Sequence, residues 1–192
     1  GNSLTITTAS LSNDLLYSYK YDGRKRMVEK KIPGAAPVYM VYDVRDRLVL
    51  TQDGEMREDD KWMFTKYDQL NRPVMTGILT TTRNHDTLQG DIASFTTKLY
   101  EDYDETEDVL YTLNDSYPNI PGSGLNDLTE SNLLSVTYYD NYDFVNNNQQ
   151  IFGDSYLFDL ALKLSDYTDS DGNVNYFDNV KGQATGVRSK VL

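Results

Sequence analysis

The chain has no cysteine among its 192 residues. That excludes a disulfide scaffold, a zinc–thiolate site and a thiol nucleophile. Its single histidine, His85, excludes a metal site built on several imidazoles. No apolar run approaches the roughly 20 residues that a membrane-spanning helix requires. Positive charge is scarce as well. Eighteen basic residues stand against 30 acidic ones, giving a net charge of −12. Nucleic acid is a poor partner for such a chain, because phosphate contacts need clustered Lys and Arg. An anionic membrane surface is a poor partner for the same reason. What the chain has in quantity is tyrosine, 16 residues beside a single tryptophan, Trp62.

The shortage of basic residues is local. Residues 1–76 hold 12 basic and 11 acidic residues and are close to neutral. Residues 84–180 hold only Lys98 and Lys163 against 19 acidic residues. The border near Thr76-Gly77 marks either a domain boundary, between 1–76 and an acidic continuation, 77–192, of the same sheet with a helix and long loops, or a change of role within one domain, 1–192. The mixed charges of 1–76 suit exposed strand faces with cross-strand pairs. The one-sign stretch reads as a solvated face.

Periodicity carries the most information. Three segments align without gaps: 21–28 (YDGRKRMV), 42–49 (YDVRDRLV) and 67–74 (YDQLNRPV). Each has Tyr, Asp, three variable residues, Arg, an apolar residue or Pro, and Val. At this composition Y-D-x-x-x-R is expected roughly 0.08 times by chance, which three occurrences far exceed. The repeating residues are Tyr21, Asp22 and Arg26; Tyr42, Asp43 and Arg47; and Tyr67, Asp68 and Arg72. Tyr suits a strand, with a ring to bury and a hydroxyl to keep wet. Asp accepts hydrogen bonds from backbone N–H groups just ahead of it and so starts a turn. Asp46 and Asn71 stand where a positive φ is needed, and both residue types tolerate it. Arg opens the return strand, where its guanidinium can stack on a ring or pair with a carboxylate. Each unit is therefore a hairpin. The far turns between units are expected at Pro33-Gly34 and Asp53-Gly54.

These units resemble the YD-repeat, or Rhs (rearrangement hotspot), family, whose motif is Y-D-x-x-G-R-L. Residues 67–73 come closest to it. Lys25, Asp46 and Asn71 replace the family's glycine. A degenerate fourth copy starts at Tyr139 and Asp140, with Phe144 in place of the arginine. The segment 181–192 is also similar to linkers in long secreted bacterial proteins of this kind. Its end, Val187 to Leu192, reads as an alternating strand with no turn after it, as expected of a piece of something longer. The opening Gly1-Asn2-Ser3 lacks the charged start and apolar run of a secretory signal. The resemblance implies a mainly β fold, with antiparallel YD-repeat hairpins forming an extended sheet. It also implies a non-enzymatic, structural role in a large surface or secreted protein whose shell encloses or presents a C-terminal toxin. It brings no cofactor. The partner it implies is the rest of the chain's own longer protein.

Beyond the third repeat, residues 77–82 read as a strand. Asn84 reads as an N-cap, followed by Leu88, Ile92, Phe95 and Leu99 at helical spacing, which predicts one short helix over 86–95. Leu99-Tyr100 and 109–113 flank an acidic tip, Glu101 to Asp108, in an expected hairpin. Further strands are expected at 133–139, 156–164 and 174–177, with a turn at Asp171-Gly172.

Five features suggest other chemistry, and the first four have a plainer explanation. The segment 169–175 alternates carboxylates and amides as a calcium loop does, but Gly172 stands fourth, not sixth, so a turn explains it better. Glu101, Asp102, Asp104, Glu105, Glu107 and Asp108 read as a solvated loop. Among 30 acids some pair will always lie at glycosidase spacing, and nothing marks one as desolvated. His85, without a nucleophile partner, reads as a surface or capping residue. The tyrosines and Trp62 suggest a platform for sugar rings, which makes a cell-surface module binding glycan or protein the alternative function.

Overall fold

A computed structural model describes residues 15–104, 111, 128–140, 156–158 and 180–190. The fold is mainly β, an open antiparallel sheet with two short helices. The strands are β1 (Ser18–Tyr21), β2 (Met27–Lys31), β3 (Val38–Tyr42), β4 (Leu48–Gln52), β5 (Lys61–Tyr67), β6 (Pro73–Thr80), β7 (Leu133–Tyr139), β8 (Tyr156–Phe158) and β9 (Ala184–Lys190). The helices are α1 (Gly54–Glu58) and α2 (His85–Ser94).

The chain divides into two compact units, one of residues 1–64, 78–97 and 120–126, the other of 65–77, 98–119 and 127–192. In the first unit the strand order is β1-β2-β3-β4-β5, so each strand lies beside its neighbour in sequence. Its buried apolar residues are Met40, Val41, Val49, Leu50, Trp62, Phe64, Leu79, Leu88 and Ile92. In β5 burial alternates with the two-residue period of a strand and places Trp62 and Phe64 inward. In the second unit the order is β6-β7-β9-β8. Its core holds Val74, Met75, Tyr111, Leu128, Leu133, Val136 and Tyr138. Strand β9 pairs with β7 from Ala184 to Ser189, and with β8 from Arg188 to Lys190.

Helix α2 begins one residue before the expected start. Asn84 caps it, its side chain accepting from the Thr87 N–H at 2.9 Å, and Leu88 and Ile92 are its buried positions. Two of its side chains anchor it to β3. The Gln89 amide accepts from the Tyr42 N–H (3.0 Å) and donates to the Tyr42 carbonyl (2.8 Å), as a neighbouring strand would. His85 bonds the Met40 carbonyl through Nε2 (3.0 Å) and the Asp86 carboxylate through Nδ1 (2.9 Å).

Three expectations need correction. Asp53-Gly54 does not make a hairpin turn: Asp53 caps helix α1, accepting from the Met56 N–H at 2.8 Å. An Asp-Gly pair serves either purpose, and tertiary packing decides here. A Cβ on Gly54 would overlap the Ala36 methyl, and Arg57 lies 4.1 Å over the Tyr39 ring. Among the described residues there are accordingly two short helices, the expected one over 85–94 and this further one. Leu99-Tyr100 lie outside any strand; the described pairing of that region is a bridge between Tyr103 and Tyr111. Glu101 does not belong to a solvated tip, because it is buried beside Lys66. The segments 112–127, 141–155 and 159–179 lie outside the described residues. With them go Phe144, the calcium-like loop and the turn at Asp171-Gly172.

Candidate functional site

The three Y-D-x-x-x-R segments form the same object. In each, the Asp N–H donates to the Arg carbonyl at 3.0 Å and closes the hairpin. The N–H of Lys25, Asp46 or Asn71 returns to the Asp carbonyl at 3.0–3.1 Å. These three residues hold φ of 64, 63 and 64°, the left-handed conformation. Asp Oδ1 accepts two backbone N–H groups at 2.8–2.9 Å: Arg24 and Arg26 for Asp22, Arg45 and Arg47 for Asp43, Leu70 and Arg72 for Asp68. Asp Oδ2 accepts from the Nε of its own arginine at 2.6–2.7 Å. One carboxylate thus fixes both ends of a five-residue turn and one side of a guanidinium.

At Arg26 and Arg72 the free side of the guanidinium reaches a further hairpin. Arg26 donates from Nη1 to the Asp43 carbonyl (2.9 Å) and to Asp46 Oδ1 (3.0 Å), and lies 5.0 Å from the centre of the Tyr42 ring. The Tyr42 hydroxyl donates to the carbonyl of Met27, the residue after Arg26, at 2.9 Å. Arg72 repeats this with the fourth copy. It grips Asp140 with both terminal nitrogens (3.0 and 2.6 Å) and lies 4.2 Å over the Tyr139 ring. The Tyr139 hydroxyl donates to the carbonyl of Pro73, the residue after Arg72, at 3.1 Å. Tyr139 and Asp140 therefore occupy the place of a following repeat although Phe144 replaces the arginine. Asp140 differs from the other three in its turn: it has φ 71°, donates its N–H to the Gln183 carbonyl, and accepts from the Gly182 N–H.

The expectation of a buried ring fails for Tyr21, which is 61% exposed, while Tyr42, Tyr67 and Tyr139 are half-buried. The reason is positional. The arginine that covers a tyrosine comes from the hairpin before it, and among the described residues none precedes Tyr21. Burial of the turn carboxylates is graded too, with side-chain exposure of 21% at Asp22, 1% at Asp43 and 9% at Asp68.

Two consequences are measurable. A left-handed Lys costs roughly 1–2 kcal/mol, and glycine removes that at an entropic cost of roughly 0.5–1 kcal/mol. Lys25→Gly is expected to raise the unfolding free energy by about 0.5 kcal/mol. Asp46→Gly is expected to lower it, because Asp46 also receives Arg24 and Arg26. Urea titration of both variants checks this. Asp140 gives a pH dependence. The hydrogen bonds from Arg72 hold its carboxyl below the usual carboxylate range, against the upward push of desolvation. Its contribution to stability is full above the unfolded value near 3.9 and is lost as pH falls through the lower folded value. The stability gap between wild type and Asp140→Asn should therefore be open at pH 7 and narrow progressively below about pH 4.

The sequence did not reveal a buried ion pair in the second unit. Lys66 Nζ lies 2.7 Å from Glu101 Oε1, with side-chain exposure of 1% and 0%. Desolvation outweighs the nearby carboxylate and holds the Lys66 ammonium below the usual lysine range. A signal existed: Trp62, Phe64 and Lys66 share one face of β5 at period two, which places the lysine inward.

Among the described residues no group of His, Asp or Glu is arranged to hold a metal, and no helix is long and apolar enough to cross a membrane. No family model, curated protein or solved structure matches the chain.

Proposed function

We propose that this chain is a non-enzymatic structural segment of a YD-repeat β-sheet scaffold. In this reading it is part of a large secreted or surface protein that encloses or presents a C-terminal toxin. One observation carries the reading: three turns of matching geometry whose arginines each hold their own aspartate, two of them seen to grip the hairpin that follows. Such a module adds hairpins by repetition, and each addition uses the same carboxylate, guanidinium and ring. The motif's aspartates, and its tyrosines at positions 42 and 139, are engaged in holding backbone, which suits a wall better than a reaction centre. The exposed Tyr17, Tyr19 and Tyr21 favour a second reading, a surface for glycan or protein.

The reading frame on either side of residues 1–192 tests the proposal. Further Y-D-x-x-x-R units at about 20–25 residue spacing, with a dissimilar closing domain, are expected. A frame that ends directly after Leu192, with no repeats before Gly1, would overturn it and leave the binding surface as the reading to pursue.

A further inference from the structure

Both inter-hairpin locks run in one direction: the earlier hairpin supplies the arginine, and the later one supplies the tyrosine and aspartate. Arg26 acts on Tyr42 and Asp43, and Arg72 on Tyr139 and Asp140. The first hairpin therefore presents the receiving half of a lock. Tyr21 is the counterpart of Tyr42 and Tyr139, and it is exposed together with Tyr17 and Tyr19. Among the described residues β2 is the only strand paired with β1, so the outer backbone edge of β1 is also open there. An open strand edge is a template for another strand.

A second contact specifies the charge of what would fit. Asp46, in the left-handed position of the second turn, takes Arg24 of the first turn on Oδ2 at 2.7 Å. Arg24 stands two residues before the lock arginine. In the first turn the left-handed position is held by Lys25, and no carboxylate faces it among the described residues. The complement across that edge must therefore reverse the sign and place an acid where Arg24 stands in its own hairpin.

We propose that the outer edge of β1 docks a further hairpin of this same turn type. Its return strand opens with arginine, and an Asp or Glu stands two residues before that arginine. The arginine stacks on Tyr21 and donates to the Asp22 carbonyl, the acid meets Lys25, and the strand pairs with β1 as β2 pairs with β3. This rests on the scaffold reading given above and adds which hairpin the first repeat accepts.

The test uses the full chain and a labelled, covalently closed hairpin peptide with the turn Tyr-Asp-Gly-Glu-Asn-Arg followed by Met-Val-Thr. Fluorescence anisotropy is expected to show saturable binding. Replacing the peptide arginine by alanine, or Tyr21→Ala in the protein, should weaken binding by about tenfold. Tyr21 is exposed, so the protein keeps its fold, and the covalent closure holds the peptide's turn. Replacing the peptide glutamate by lysine should weaken binding by about fivefold, and Lys25→Glu in the protein should restore it. Equal binding of all peptides, or no binding, would overturn the inference. Self-association of the chain through β1 in place of peptide binding would overturn it too. If the flanking frame holds further repeats while the peptide fails, the docking inference falls and the scaffold reading stands.

Discussion

Replacing Asp43 by alanine is expected to lower the unfolding free energy by about 3–5 kcal/mol, an effect large enough to threaten folding. Asp43 is 2% exposed and Arg47 8%. The carboxylate accepts the N–H groups of Arg45 and Arg47 and pairs with the Arg47 guanidinium at 2.7 Å. Alanine strands two backbone donors and leaves a buried cation without its turn carboxylate, and the desolvation of the remaining groups is no longer offset. Asp43→Asn keeps an acceptor for the backbone and loses the charge, so its loss should be intermediate. The same substitution made at each repeat supplies an internal control. The expected order of loss is Asp43, then Asp68, then Asp22, following their burial. Urea titration with an unchanged m-value reads these differences. Equal losses at all three positions would show that burial does not set the strength of the turn.

The second large effect concerns Lys66 and Glu101. Either Lys66→Met or Glu101→Leu alone is expected to cost about 3–5 kcal/mol, because each leaves a buried charge without its counter-charge. The paired change Lys66→Met with Glu101→Leu is expected to be close to neutral, or stabilising by about 1–4 kcal/mol. Desolvation already depresses the Lys66 ammonium, so the ion pair works against a penalty that an apolar pair does not carry. This places the pair as a device that fixes how Glu101 meets β5, where the Glu101 N–H also donates to the Tyr67 carbonyl at 2.8 Å. A double variant as unstable as the single ones would contradict that view.

The hairpin turns were legible in the sequence because their chemistry is local. Asp, the left-handed residue and Arg lie within five positions, so the tyrosine–aspartate–arginine spacing fixes the hydrogen bonds. Helix α2 was legible for a similar reason: the Asn84 cap immediately before it and the Leu88–Ile92 spacing within it are both local. What joins the hairpins was not legible. Arg72 and Asp140 are separated by 68 residues and Lys66 and Glu101 by 35, and no spacing rule reaches so far. The tyrosines covered by Arg26 and Arg72 belong to the next hairpin, which a motif read one copy at a time does not reveal. Helix α1 was hidden because Asp53-Gly54 encodes a cap and a hairpin equally well. Ala36 and the Arg57–Tyr39 stack, both distant in sequence, settle the choice.

The central claim is that an arginine holds its own turn and, at Arg26 and Arg72, also grips the hairpin beyond it. A double-mutant cycle joining Arg72→Ala and Asp140→Ala tests it most directly, because the two residues meet only through that grip and the cycle cancels the Asp68 contact common to both arms. A favourable coupling of about 1 kcal/mol is expected for a two-pronged, partly exposed pair. Losses that add to within about 0.3 kcal/mol would show that the arginines do not join the hairpins, and would contradict the account.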